Sequence, residues 1–127
     1  MISYNERRIV MKEPITYRIK HVGINAGNNK GAQEILQQLT HYFGLERGRE
    51  SEEKVFAGEI IELMKSSNVG KNGHIGLQTK DVELAMQDLA AKGITFREDT
   101  IRRDERGRIV FAYLEQEMGG FAFHLME

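Results

Sequence analysis

The stretch that decides the fold is a tetrapeptide used twice: His21-Val22-Gly23-Ile24 returns as His74-Ile75-Gly76-Leu77. Both copies lie in alternating stretches of the kind that form half-buried strands. In the first, Tyr17, Ile19 and His21 share one side, while Val22 and Ile24 point the other way. The same order of elements follows each copy. After the first, Asn28-Asn29 offers a helix cap, and Ile35, Leu36, Leu39, Tyr42 and Phe43 recur at spacings of three and four up to Gly44, the stripe of an amphipathic helix. Strand patterns then lie at 45–49, 53–57 and 59–65. After the second copy, Asp81 is placed as an N-cap, with Leu84, Ala85, Leu89 and Ala90 forming a second helical stripe up to Gly93. Strand patterns follow at 94–101, 109–115 and 120–126. A repeat of this kind implies one domain made of two paired modules. Module one spans 16–67 and module two 72–127, joined by the turn-rich Asn68-Val69-Gly70-Lys71-Asn72-Gly73. Residues 1–15, mixed in charge and without a sustained period, read as an N-terminal arm. The expected class is α+β, with two βαβββ modules forming a curved mixed sheet.

Composition narrows the function. At 127 residues, 40% hydrophobic and 29% charged, the chain suits one soluble domain. Its apolar runs are too short to span a bilayer, and charges occupy the place where a signal peptide would need apolar residues. The absence of Cys removes disulfides, thiolate metal sites and a cysteine nucleophile, which leads us to expect a cytoplasmic protein. Eighteen basic against nineteen acidic residues leave −1, too even a balance for electrostatic capture of nucleic acid.

Three of the four histidines fall in strand patterns. His21 shares its face with Gly23 and Asn25, His74 with Gly76 and Gln78, and His124 with Ala122 and Met126. Glu62 lies opposite Ile61 and Leu63. Each of these polar residues backs onto an apolar face that a helix can cover, and each has small or polar neighbours that leave room for a cavity. A carboxylate in an apolar strand is costly to bury unless it is paired or holds a metal. Neutral imidazoles and a carboxylate suit Zn, Ni, Co, Mn or Fe as a divalent ion. The candidate set is therefore His21, Glu62, His74 and His124. His41 is set aside, because it lies near the end of the first helix, where a solvated cation favours the helix dipole.

This doubled order, with His in the first strand of each half, resembles the vicinal oxygen chelate (glyoxalase, bleomycin resistance and dioxygenase) superfamily over roughly residues 16–127. The resemblance rests on His21-Val22-Gly23-Ile24, Glu59-Ile60-Ile61-Glu62-Leu63, Gly73-His74-Ile75-Gly76-Leu77 and Gly119-Gly120-Phe121-Ala122-Phe123-His124-Leu125. Segment by segment the chain is also similar to the glyoxalase-like domain appended to some bacterial 2-keto-3-deoxy-6-phosphogluconate aldolases. The resemblance implies metal ligands from the first and fourth strands of each module, which again gives His21, Glu62, His74 and His124, with one divalent metal per site. It also implies a homodimer, within which the modules either meet in one chain or exchange between two.

Glyoxalase I enzymes commonly carry Glu where this chain has His124. Three neutral His and one carboxylate leave a divalent site at net +1, which favours a small anionic substrate such as a 2-oxo or 2-hydroxy acid. The expected function is a metal-dependent lyase or isomerase acting on vicinal oxygens, with Glu62 as the catalytic carboxylate. A non-catalytic metal- or sugar-acid-binding module and an iron-dependent dioxygenase are the alternatives. Asn25, Phe56, Met64, Gln78 and Tyr113 are expected to line the cavity. The charged stretch from Arg97 to Arg108 reads as a solvated hairpin with paired charges.

Overall fold

The structure is a computed structural model that describes residues 14–127. The expected arm, 1–15, therefore lies outside the described residues except for its last two positions. Eight strands and two helices follow in the order β1 (Arg18–Asn25), α1 (Asn29–Phe43), β2 (Arg47–Glu50), β3 (Lys54–Ala57), β4 (Ile61–Met64), β5 (Gly73–Gln78), α2 (Val82–Ala91), β6 (Phe96–Arg103), β7 (Ile109–Leu114) and β8 (Phe121–Met126). Strand-helix-strand-strand-strand thus occurs twice, and the class is α+β, as the residue pattern implies.

Local chemistry sets the helix ends. The Asn28 side chain accepts from the Gly31 N–H at 2.7 Å, and Asp81 accepts from the Leu84 N–H at 2.9 Å; both cap donors that the first helical turn leaves unpaired. Gly44 closes α1 at φ 73°, a left-handed conformation that glycine adopts without steric cost.

All eight strands belong to one mixed sheet in the order β2-β3-β4-β1-β5-β8-β7-β6. The central pair, β1 and β5, runs antiparallel, and each is flanked by a parallel partner, β4 and β8 respectively. The modules therefore meet within one chain, through the two strands that carry the repeated tetrapeptide. Period-two alternation divides the sheet into two faces. One face packs on the helices in two clusters: Ala32, Leu36, Val55, Ala57 and Leu63 with α1, and Val82, Ala85, Leu114 and Leu125 with α2. Burial of this apolar surface, worth about 25 cal/mol per Å², fixes which way the strands that feed the two clusters face. The other face is left for polar side chains.

One expected alternation fails. The β1–β5 register shifts between Ile19 and His21, so the side shared by Tyr17, Ile19 and His21 is interrupted at Lys20. An extra residue on one strand reverses the alternation locally, and Ile19 is left 56% exposed.

Candidate metal centre

Four strands deliver the four expected residues to one place. His21 (β1), Glu62 (β4), His74 (β5) and His124 (β8) all stand on the face away from the helices, and Glu62, His74 and His124 are nearly fully buried. Register explains the convergence. Gly23 is paired with both Glu62 and His74, and Gly76 is paired with both His21 and His124. Each glycine therefore lies between two of the polar residues. A Cβ built on Gly23 would collide with the His74 ring, and one on Gly76 would lie 2.7 Å from His21 Cε1 and Nε2 and 2.8 Å from His124 Cε1. The space that the rings occupy exists because these two positions lack side chains.

His21 Nε2 faces His124 Nε2 at 3.0 Å, and His74 Nε2 lies 3.1 Å from Glu62 Oε1. The three imidazoles offer nitrogens that all lie within 4.8 Å of one another. Spacings near 3 Å suit donors that share an ion at the roughly 2 Å metal–nitrogen distance. Lys54 Nζ reaches the other Glu62 oxygen at 3.4 Å.

The electrostatics favour ligation. Burial pushes the His124 pKa down to about 3, with smaller contributions from His21 and His74 against a small upward pull from the Leu125 backbone. Burial also lowers His21, and Glu62 opposes this only in part. For Glu62 burial acts upward, but the His74 hydrogen bond and the charges of Lys54 and the histidines outweigh it and hold the carboxyl at about 2. At neutral pH, His21 and His124 therefore present lone pairs and Glu62 is an anion, the protonation states that a divalent cation requires. Nδ1 of His74 and Oδ1 of Asn25 are buried with no hydrogen-bond partner among the described residues. Such orphaned atoms cost about 1–3 kcal/mol each, a cost consistent with a centre built to hold something. By donor type, protonation and spacing the set fits a divalent metal.

The expected cavity residues divide into two groups. Phe56 and Tyr113 are paired in register with Glu62 and His124, and Met64 is buried on the same face. The Tyr113 ring centroid lies 4.9 Å from that of His124, and burial, aided by the Glu62 charge, raises its hydroxyl pKa to about 12. Asn25 donates to the Gly70 carbonyl at 2.9 Å, tying down the inter-module loop, while its Oδ1 stays buried without a partner. Gln78 stands at the rim and accepts from Arg18 at 2.9 Å. His41 is in the last turn of α1, away from the centre. In the Arg97–Arg108 stretch, Arg97 pairs with Asp99 at 3.2 Å, and Arg108 lies 3.5 Å from Glu127 and 3.7 Å from Asp81.

Sequence reading passed over Lys54 and Phe111. The Phe111 ring stacks on His124 with centroids 4.5 Å apart. Parity with Tyr113 on β7 was the available signal for Phe111. For Lys54 it was the short hairpin that returns to Glu62.

No family model matches the chain, and no curated protein matches it. Solved structures do. A Streptomyces coelicolor methylmalonyl-CoA epimerase variant in complex with 2-nitronate-propionyl-CoA is 20% identical, with a TM-score of 0.58 over 88% of this chain and 94% of that one. A selenomethionine methylmalonyl-CoA epimerase reaches 0.60 at 14% identity over 90% and 97%. The Mycobacterium tuberculosis methylmalonyl-CoA epimerase gives 0.54 at 16% over 86% of each chain. These likenesses lend no support to the narrower expectation of an aldolase-appended domain. What they establish is the fold: the chain has the glyoxalase-like architecture of the methylmalonyl-CoA epimerases.

Proposed function

We propose that this chain is a metal-dependent isomerase of the glyoxalase-like type, acting on a small anionic substrate with vicinal oxygens, a 2-oxo or 2-hydroxy acid or aldehyde. The observation that carries the proposal is the convergence of three imidazoles and one ionised carboxylate on a face that glycines at 23 and 76 keep open. His21, Glu62, His74 and His124 would hold the metal, which when bound polarises substrate oxygens as a Lewis acid. Glu62 is the carboxylate proposed to move the proton. Held at about 2 by its partners, it is a weak base at rest, and it gains basicity when Lys54 is drawn off by an incoming anion. Tyr113, kept protonated, supplies a donor at the site wall, and Asn25 Oδ1 supplies a buried acceptor. We read isomerase rather than lyase because the similar structures are epimerases.

One observation favours a second reading. Among the described residues one carboxylate lies within the ring of His contacts, and its low pKa suits holding an ion better than abstracting a proton. On that reading the centre binds an acid without turnover. Deuterium uptake at the carbon next to the carbonyl separates the two readings. Metal-loaded protein is incubated in D2O with a panel of 2-oxo acids, 2-oxoaldehydes and acyl thioesters, and proton loss is followed by NMR. Metal-dependent exchange supports the isomerase, while metal-dependent binding with no exchange anywhere in the panel supports the binding module.

A further inference from the structure

Beside Glu62, on the module-one side, a cavity is lined by Arg49, Glu50, Ser51, Lys54 and Phe56. Phe56 forms its floor; the residue is 6% exposed and is paired in register with Glu62. Two cations stand over that ring: Arg49 Cζ at 5.1 Å from its centroid and Lys54 Nζ at 6.0 Å. Arg49 makes no hydrogen bond and no ion pair among the described residues, although Glu50 follows it directly in sequence. Glu50 is engaged elsewhere, by Arg47 at 2.5 Å, Lys65 at 2.7 Å and Gln33 at 3.0 Å. Its charge is therefore met without Arg49. A guanidinium lying on an aromatic ring keeps its in-plane N–H fork free for a bidentate anion. The Ser51 oxygen accepts from the Glu53 N–H at 3.2 Å, which leaves its hydroxyl proton to donate.

The other module repeats part of this arrangement. Arg102, from edge strand β6, lies 4.6 Å over Phe111, the ring stacked on His124. Both edge strands thus place an arginine over a ring that stands next to one of the four candidate ligands on the open face; in module one Lys54 and a lined cavity join it.

We propose that Arg49, assisted by Lys54 and Ser51, binds a second anionic group of the substrate, a carboxylate or phosphate, at a distance from the oxygens that meet the metal. As a statement about substrate class, this rests on the metal-centre reading above. The substrate is then at least a dianion, and Arg49 selects for the group remote from the reacting carbons.

Two measurements test this separately from the metal. In the first, metal-loaded protein is titrated calorimetrically with 2-oxobutyrate and with 2-oxoglutarate, which differ by the second carboxylate. The expected result is at least tenfold tighter binding of 2-oxoglutarate, with Arg49→Gln abolishing that preference and leaving 2-oxobutyrate unchanged. Equal affinities, or an equal loss for both acids in Arg49→Gln, overturn the proposal. In the second, chelator-treated protein is titrated with inorganic phosphate and with acetate by amide NMR. Shifts centred on residues 49–56 that weaken at least tenfold in Arg49→Gln are expected, and the comparison of the two anions shows which chemistry the cavity prefers. Arg49-dependent shifts in protein that takes up no metal would retain the cavity and sink the metal centre. Normal metal uptake with no Arg49-dependent shift would do the reverse.

Discussion

Gly76→Ala is the most searching perturbation of the proposed centre, because it removes no ligand. Gly76 stands in register between His21 and His124, and its φ is not in the left-handed region, so the backbone accepts alanine. The new Cβ would lie 2.7 Å from the His21 ring and 2.8 Å from the His124 ring, against an ordinary contact of 3.4 Å or more. The differences, 3.4 − 2.7 and 3.4 − 2.8, require the rings to retreat by 0.7 and 0.6 Å. Metal sites tolerate only about 0.2 Å in ligand distance. Displacing two of four ligands by several times that margin should weaken metal binding about 10–100-fold, the range found when the supports of ligands are altered. Overpacking costs about 1–3 kcal/mol, offset by about 0.5–1 kcal/mol because alanine has less backbone freedom to lose than glycine. The metal-free variant should therefore stay folded. Competition for Zn²⁺ against a chromophoric chelator gives the affinity, and urea unfolding of the metal-free protein gives the stability. A folded variant that binds Zn²⁺ within threefold of the parent refutes the placement of a metal between these two rings.

Other outcomes follow from the same geometry. Glu62→Gln should lower metal affinity by more than tenfold while the fold persists, read by metal content after dialysis; unchanged content removes Glu62 from the donor set. Metal-free protein should lose stability as pH falls from about 6.5 toward 3. In that window the unfolded His124 binds a proton that the folded one, with its pKa lowered to about 3, refuses, so acid favours the unfolded chain. Glu62 adds a second loss below about 4.5, as the pH approaches its folded value of about 2. Urea midpoints that are flat from pH 7 to 4 would contradict the His124 assignment, and midpoints that show no further fall from pH 4 to 2.5 would contradict that of Glu62. Leu63→Ala, at a fully buried position on the helix side of β4, should cost about 2–5 kcal/mol with metal affinity nearly intact in the folded fraction, because Leu63 and Glu62 face opposite ways. His124→Glu should raise proton exchange on a 2-oxoaldehyde if the centre is catalytic, and weaken acid binding with no turnover if it only holds its ligand.

Much of this was legible in the residues because the repeat carries its own register. Two copies of His-x-Gly-x place both glycines and both histidines on one face, and the helix stripes assign the opposite face to the core. Parity, together with the superfamily resemblance, then put Glu62, His124, Phe56 and Tyr113 with them. Pairing partners were not legible, because period-two patterns state a face and not a neighbour. That Gly76 separates His21 from His124, and that β1 meets β5 of its own chain, depend on the register of three strands at once. The irregularity at Lys20 was invisible for the same reason: an apolar Ile19 alternates correctly in sequence, yet it is exposed in the sheet. Lys54 and Arg49 were missed because charged residues in short strands near a sheet edge look like solubilising ones until an aromatic ring is seen beneath them.

The near-equivalence of the modules has a stereochemical consequence. A frame with matching first strands and matching fourth strands would offer a guest two orientations, related by exchange of the modules, with the same surroundings in each. This frame is broken at one pair of corresponding positions, Glu62 in β4 and His124 in β8. The break extends outward: Lys54 accompanies the carboxylate, while Phe111 and Tyr113 crowd the imidazole. One side thus carries an anion with a cation beside it, the other a neutral imidazole among rings. A guest held across the centre therefore meets two unlike sides, so exchanging Glu62 and His124 for each other would be expected to reverse its preferred orientation while leaving the donor set the same.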